Sequence, residues 1–325
     1  MADGPTLRYL SRRDVESLAL PMADVIDAVE GALREKGNGT AEMPPKPGVH
    51  PLPDAFIHAM PAYLKEQRAA GLKWVSGFPE NAKRGLPYIA GLFVLNDVET
   101  GLPLAVMDCT WITGARTGAA TAVAAKHLAR PDARTAGILA CGVQGRTNLE
   151  ALSCVFRLER VHCYDIHAER ARAYAAEMHE RLGLDVRPVA TAEQAVREMD
   201  LVVTSGPILK HPTPAIPSGW LAPGAFASPV DFDSYWTPEA LEEVDLLGTD
   251  DTAQMEYYRT VGYFARTPAP YADLGEIVTG RKPGRTSEGQ RTMSMNLGLA
   301  IEDVATARIL YARALASGIG VSLPL

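Results

Sequence analysis

The first half of the chain holds a set of basic side chains suited to gripping a small anion. Lys73 lies in the strand-like GLKWVSGFPEN, between apolar residues that would turn it toward a pocket. A lysine in a strand more often points to water, so its neighbours matter. Arg116, in WITGARTGAAT, is expected at the start of an Ala-rich helix that opens at Thr117. A helix start is already positive. An arginine there adds repulsion unless an anion lies between them, which is the arrangement of a carboxylate site. Lys46 sits in a Pro-rich loop and His58 in FIHAMP. Each alone is an ordinary surface residue, but together with Lys73 and Arg116 they supply positive or proton-donating groups. Asp233, in GAFASPVDFDSYWTP, follows an expected strand end. Substrates of doubly wound sheets sit at such ends. Asp231 is close by and competes for any role given to Asp233.

A second signal is TAGILACGVQGRTNLEAL: an apolar strand, a turn of small residues and a helix. Backbone N–H groups and the helix dipole at such a junction can hold a pyrophosphate. The usual pattern is G-x-G-x-x-G. Here the turn is Ala140-Cys141-Gly142-Val143-Gln144-Gly145, with Ala in the first glycine's place. A degenerate glycine pattern is weak by itself. Asp165 strengthens it, standing at the end of the next strand, in VHCYDIH, where a ribose-binding acid belongs. Its carboxylate would accept from both ribose hydroxyls and repel a 2′-phosphate, so the expected cofactor is NAD(H) and not NADP(H). Thr204 and Ser205, closing a later strand, are further cofactor candidates.

These residues need two kinds of scaffold. Up to about residue 116 the pattern is α+β. Ser11 can cap a short helical segment and 21–35 has helical spacing, so the first forty residues read as helical. The stretch MPPKPGVHPLPD excludes a regular helix or a central strand. Strands are expected over 56–60, 71–76 and 89–96, separated by turns. From Thr117 onward strands and helices alternate, with strands over 135–140, 160–164 and 200–205 and helices over 146–156 and 167–182. That alternation implies a parallel, doubly wound sheet. A last amphipathic helix is expected over 299–317.

Composition bounds the rest. The chain has 325 residues, 47% hydrophobic and 22% charged, which suits a soluble two-domain protein and excludes a disordered one. A net charge of −7 argues against general nucleic-acid binding. No apolar run approaches the roughly 20 residues of a membrane span, and the N-terminal residues do not resemble a signal peptide, so a cytoplasmic protein is expected. Cys109, Cys141, Cys154 and Cys163 have no zinc-ribbon or CxxC spacing. Reduced, mostly buried thiols and no metal site are expected.

Taken together, MPAY, KWVSGFPEN, GLFVLNDVETGLPLAVMD, ITGARTGAATAVAAKHLAR, ACGVQGR, the Asp233 turn, GRTSEG and NLGLAIEDVATARILYARA resemble the ornithine cyclodeaminase/μ-crystallin family. The resemblance implies an N-terminal domain that binds substrate and dimerises, over 1–116 and 305–325, and a Rossmann domain for NAD(H) over 117–304. It implies that Lys73 and Arg116 hold a substrate carboxylate and that Asp233 is the catalytic aspartate, with Lys73 as an alternative acid–base group. Arg116 and Thr117 would also meet the cofactor, and Leu297 and Gly298 would close over the nicotinamide. True ornithine cyclodeaminases carry a glutamate where this chain has His58, and the arginine that the family pattern leads one to expect in the Pro-rich loop is Lys46 here. The function implied is therefore an NAD(H)-dependent imino-acid reductase or amino-acid dehydrogenase, with a dicarboxylic imine such as iminosuccinate the specific expectation from His58. A cyclodeaminase using bound NAD and a non-catalytic cofactor-binding protein stand as alternatives, and a homodimer is expected.

Overall fold

In the computed structural model, which describes residues 4–325, the chain forms two compact units. Unit 1 runs up to Arg116 and resumes over Leu299–Leu325; unit 2 is Thr117–Gly298. The return to unit 1 comes at Leu299, ahead of the expected 305, because the last helix, Ala300–Ser317, packs along its length in unit 1.

Unit 1 contains β1 (Thr6–Leu10), α1 (Arg12–Ser17), α2 (Met22–Asn38), β2 (Ala41–Glu42), β3 (Gly48–Val49), β4 (Phe56–Leu64), β5 (Ala69–Gly77), β6 (Ile89–Asn96) and β7 (Pro103–Asp108). Ser11 caps α1 through a reciprocal box with Asp14. The sheet order is C-terminal strand (Val321–Pro324)–β1–β7–β6–β5–β4–β2, with β3 also on β4. The opening residues are thus not all helical. β1 is a strand because it finds partners in β7 and the C-terminal strand, both remote in sequence. Strand formation depends on such partners more than on local propensity.

Alternation along the strands gives the sheet two faces. Met60, Lys73, Phe93 and Met107 lie in register on one face and are all buried. The C-terminal helix packs on β4, β5 and β6 from that side, and on α2. The other face carries Trp74 opposite Leu92, 47% and 44% exposed. The chain leaves unit 1 within α3 (Thr110–Leu128).

Unit 2 is a doubly wound α/β domain. Its strands are β8 (Thr135–Leu139), β9 (Arg160–Tyr164), β10 (Val186–Pro188), β11 (Leu201–Thr204), β12 (Phe226–Pro229), β13 (Leu246–Thr249), β14 (Ala272–Asp273) and β15 (Thr292–Met295). All pairs are parallel, in the order β10–β9–β8–β11–β12–β15–β13–β14. Helix α4 (Val143–Val155) follows β8 and α5 (Ala168–Leu182) follows β9. The order reverses between β8 and β11, so the carboxyl ends of these strands mark the topological switch point where such sheets bind ligands. Among the described residues no helix is long and apolar enough to cross a membrane.

Candidate active site

Arg116 does not stand at a helix start. Asp108 accepts from the backbone N–H of Thr110 at 2.9 Å, so α3 begins there and Arg116 lies well inside the helix. The anion beside it belongs to the protein. Arg116 Nη1 donates to Glu302 at 3.0 Å and Nε to Asp303 at 3.2 Å. Lys73 Nζ donates to Asp303 Oδ1 at 2.8 Å, lies 2.7 Å from Oδ2, and reaches Thr113 Oγ1 at 3.4 Å. Thus β5, α3 and the first turn of the C-terminal helix bring two cations and two carboxylates together in unit 1.

Lys73, Glu302 and Asp303 are essentially inaccessible and Arg116 is nearly so. Burial of charge this deep is tolerated only with close partners and satisfied hydrogen bonds. Burial pushes the Lys73 ammonium down to about 8; Asp303 pulls it back up and Arg116 pushes it further down. Glu302 and Asp303 were not singled out in the sequence, although both lie in NLGLAIEDVATARILYARA. Acids in the first turn of a helix ordinarily answer the helix dipole. The signal that could have found them is their company: they are the two acids within an otherwise apolar or small stretch, 300–307, every residue of which is buried.

His58 lies on the same sheet face as Lys73, since His58 is opposite Val75 and Met60 opposite Lys73. It is half-buried and stacks on Phe56 at 4.3 Å between ring centroids. Gly48, opposite it on β3, makes this placement feasible, because a Cβ there would come within 2.2 Å of the imidazole. Burial, then the charge of Lys46, then His50 and Lys73 push His58 down to about 4. The imidazole is therefore neutral at pH 7, and Lys46 and Lys73 are near enough to be felt.

In unit 2 the turn after β8 is built around backbone. Gly142 caps α4 with no side-chain hydrogen bond to its first turn, and a Cβ on Gly142 would meet nothing within 4 Å. Uncapped N–H groups beside open space fit a phosphate. Val143 and Gln144 form the first turn of α4, with Val143 64% exposed. Gly145 packs closely: a Cβ there would sit 2.6 Å from the Ala140 carbonyl oxygen, and Tyr174 donates to the Gly145 carbonyl at 2.9 Å. Arg146, not anticipated from the sequence, braces the turn from behind. It donates to the carbonyls of Cys141 and Gly142 while holding Glu177. Asp165 follows β9, its carboxylate fixed by the N–H groups of Cys141 and His167, each at 3.0 Å. These residues fit a dinucleotide.

Across the switch point, Ser205 Oγ donates to the Ala140 carbonyl at 3.0 Å. Thr204 is fully buried, and its hydroxyl is engaged by Asp231 at 2.7 Å and by Trp236 Nε1 at 3.3 Å. Its side chain thus serves the interior of unit 2 and not the rim. Asp231 and Asp233 part company. Asp231 is wholly buried, accepts from Thr204 and from the Gly206 N–H, and is pushed up to about 7 by burial. Asp233 is half-buried and accepts from Thr267 Oγ1 at 2.9 Å. Thr117 and Leu297 are buried, and Gly298 adopts a positive φ of 83° with its N–H donating to Asp250 at 2.7 Å. Among the described residues no group of acids, histidines and cysteines is arranged for a metal.

The pattern of the ornithine cyclodeaminase/mu-crystallin family matches residues 8–318. Nodulation efficiency protein NfeD of Rhizobium meliloti is 37% identical over 321 residues, covering 97% of each chain. Delta(1)-pyrroline-2-carboxylate reductase of Thermococcus litoralis, solved in complex with NADH and L-proline, superposes with a TM-score of 0.88 at 35% identity, covering 98% of this chain and 100% of that one. An archaeal alanine dehydrogenase dimer with bound NAD gives a TM-score of 0.87 at 33% identity, covering 98% and 99%.

Proposed function

The chain belongs to the ornithine cyclodeaminase/mu-crystallin family, and from that membership we infer an NAD(H)-dependent oxidoreductase that acts on a small imino or amino acid. The observation that carries this reading is the pair of cations, Lys73 and Arg116, buried side by side in unit 1. Lys73 and Arg116 would grip a substrate carboxylate between them, which orients its α-carbon. Orientation of this kind supplies several kcal/mol toward reaction. The nicotinamide, when bound, supplies the hydride chemistry. In unit 2 the first turn of α4, Gly142 to Gly145, would receive the pyrophosphate and Asp165 the ribose. Ser205, Thr117, Leu297 and Gly298 would contribute further cofactor contacts. Asp233 would exchange a proton with the substrate nitrogen, with Lys73 as the alternative acid–base group.

The substrate proposed is a dicarboxylic imine, with iminosuccinate the simplest. The neutral His58 imidazole has an N–H to give, and Lys46 adds charge beside it. Neither suits the distal ammonium of ornithine. The protein is proposed to act as a homodimer in the cytoplasm. The apolar outer face of the unit 1 sheet, with Trp74 and Leu92, would meet a second copy, and the four free cysteines suit a reducing compartment.

Reductive amination with NADH and ammonia tests the substrate. Oxaloacetate should give the highest kcat/KM, above glyoxylate and pyruvate. Preference for pyruvate would overturn the dicarboxylate assignment. Ammonia release from ornithine without net NADH formation would overturn the dehydrogenase assignment.

A further inference from the structure

We propose that Asp303 is the positioning residue of the unit 1 site: one carboxylate, bonded to both Lys73 and Arg116, sets the spacing of the two cations. The proposal deepens the proposed function, since it is that reading which gives Lys73 and Arg116 a substrate carboxylate to hold.

The two acids on the C-terminal helix have different duties. Glu302 accepts from Arg116 Nη1 at 3.0 Å and from the backbone N–H of Leu299 at 3.3 Å, so it also closes the start of its own helix. Asp303 touches both cations: Lys73 Nζ lies 2.8 and 2.7 Å from its two oxygens, and Arg116 Nε 3.2 Å from Oδ1. Lys73 comes from β5 and Arg116 from α3, and Asp303 is the group bonded to each of them. An arginine stays protonated under all ordinary conditions, whereas a buried lysine releases its proton readily. When the Asp303 charge is removed, Arg116 is left facing Lys73 in a desolvated site, and Lys73 is the partner that discharges. The other groups felt by Lys73 are limited. Cys109, just ahead of α3, acts in the same sense as Asp303. On β4, His58 is coupled to Lys73 and to Lys46 in the loop before it. Thr113 on α3 is uncharged.

The test needs no substrate, so it is separable from the proposed function. Lysine side chains labelled with ¹³C at Cε are titrated by NMR in the intact protein, and Lys73 is assigned by the resonance lost in K73R. In the unaltered protein Lys73 should titrate below the ordinary lysine range. D303N should lower its titration point by at least one further pH unit, a tenfold loss of proton affinity, while E302Q leaves it within a few tenths of a unit. An unmoved Lys73 in D303N would overturn the proposal, as would E302Q acting as strongly as D303N. Circular dichroism establishes that each variant is folded. Should D303N not fold, D303E serves. Its longer stem cannot keep both contacts, so Lys73 should shift downward by less than in D303N, and an identical titration curve would overturn the proposal. A protein inactive toward every imino acid but showing these shifts would defeat the proposed function and leave Asp303 in its role.

Discussion

The two sites differ in what they are made of. In unit 2 the turn from Ala140 to Gly145 presents backbone N–H groups, and its shape comes from neighbours in sequence together with Asp165 on the next strand. In unit 1 the cluster is made of charged side chains drawn from β5, α3 and the C-terminal helix, with Lys73 and Asp303 separated by most of the chain. A backbone site tolerates change in most side chains around it. A buried charge cluster does not, because each ion depends on the others for its solvation. The contrast implies that mutations in the unit 1 cluster act on stability and substrate together, while those in the turn after β8 act on the cofactor and leave the substrate untouched.

Arg116→Ala should break the contrast most forcefully. It strips partners from two carboxylates that have no access to water. Breaking a buried pair this way costs about 3–5 kcal/mol. Urea denaturation should show a loss of that order, and kcat/KM should fall by more than about 100-fold, as a comparable loss of transition-state binding would require. NADH affinity, read by fluorescence, should fall by much less than kcat/KM, because Arg116 would be one cofactor contact among several. Near-normal stability would mean that the cluster does not behave as a unit.

The pH dependence sharpens the same point. Lys73 sits at about 8, below its ordinary 10.5, because burial disfavours its charge. If the charged form serves the substrate, kcat/KM should fall as pH rises through about 8, with NADH affinity flat over that range. Stability should move the other way. The folded state holds this proton less tightly than the unfolded chain, so the contribution of Lys73 to stability rises between about 8 and 10.5. Opposed trends in activity and in unfolding free energy would mark the lysine. Parallel decline would point to general unfolding at alkaline pH.

A smaller effect is expected in unit 2. Asp165→Ser removes the carboxylate that would face a 2′-phosphate, so the preference for NADH over NADPH should drop at least tenfold, or about 1.4 kcal/mol. Steady-state kcat/KM with each cofactor measures it. A variant with the same preference as the unaltered protein would remove Asp165 from the ribose site.

The same contrast explains which parts of the molecule were legible in the sequence. The Rossmann unit announces itself through apolar strands, small-residue turns and regular spacing, all local features, and β9 falls at 160–164 as expected. In unit 1 β4, β5 and β6 were also visible, β6 down to its bounds, whereas β2, β3 and β7 were not, although each pairs with a near neighbour. β1 was not, because its partners are β7 and the C-terminal strand. Arg116 was singled out for an anion, but from a helix start that does not exist. Its partners, Glu302 and Asp303, lie too far along the chain for spacing to connect them. Thr204 and Asp231 show the same gap: a hydroxyl at a strand end looks available until a buried acid 27 residues on, just past the neighbouring strand β12, is seen to hold it.

The smallest effect concerns the residue where the glycine pattern fails. Ala140 occupies the first glycine position and adopts φ 72°, in the left-handed region. An alanine there costs about 1–2 kcal/mol, because its Cβ crowds the following carbonyl. The turn keeps that conformation because it is held from several sides. The Ala140 N–H donates to the Tyr164 carbonyl at 2.9 Å, its carbonyl accepts from Ser205 Oγ at 3.0 Å, and Gly145 packs against that same oxygen. Ala140→Gly would relieve the strain and leave those bonds in place. Glycine also loosens the unfolded chain, which takes back about 0.4–1 kcal/mol. The net expectation is a gain of roughly 0.5–1 kcal/mol in unfolding free energy, with NADH affinity and imino-acid kinetics unchanged. Because the change touches backbone strain and no charge, it separates the two kinds of site cleanly. A loss of stability would show that the Ala140 methyl makes packing contacts worth more than the strain, and a change in substrate KM would show that the turn after β8 does not act on the cofactor alone.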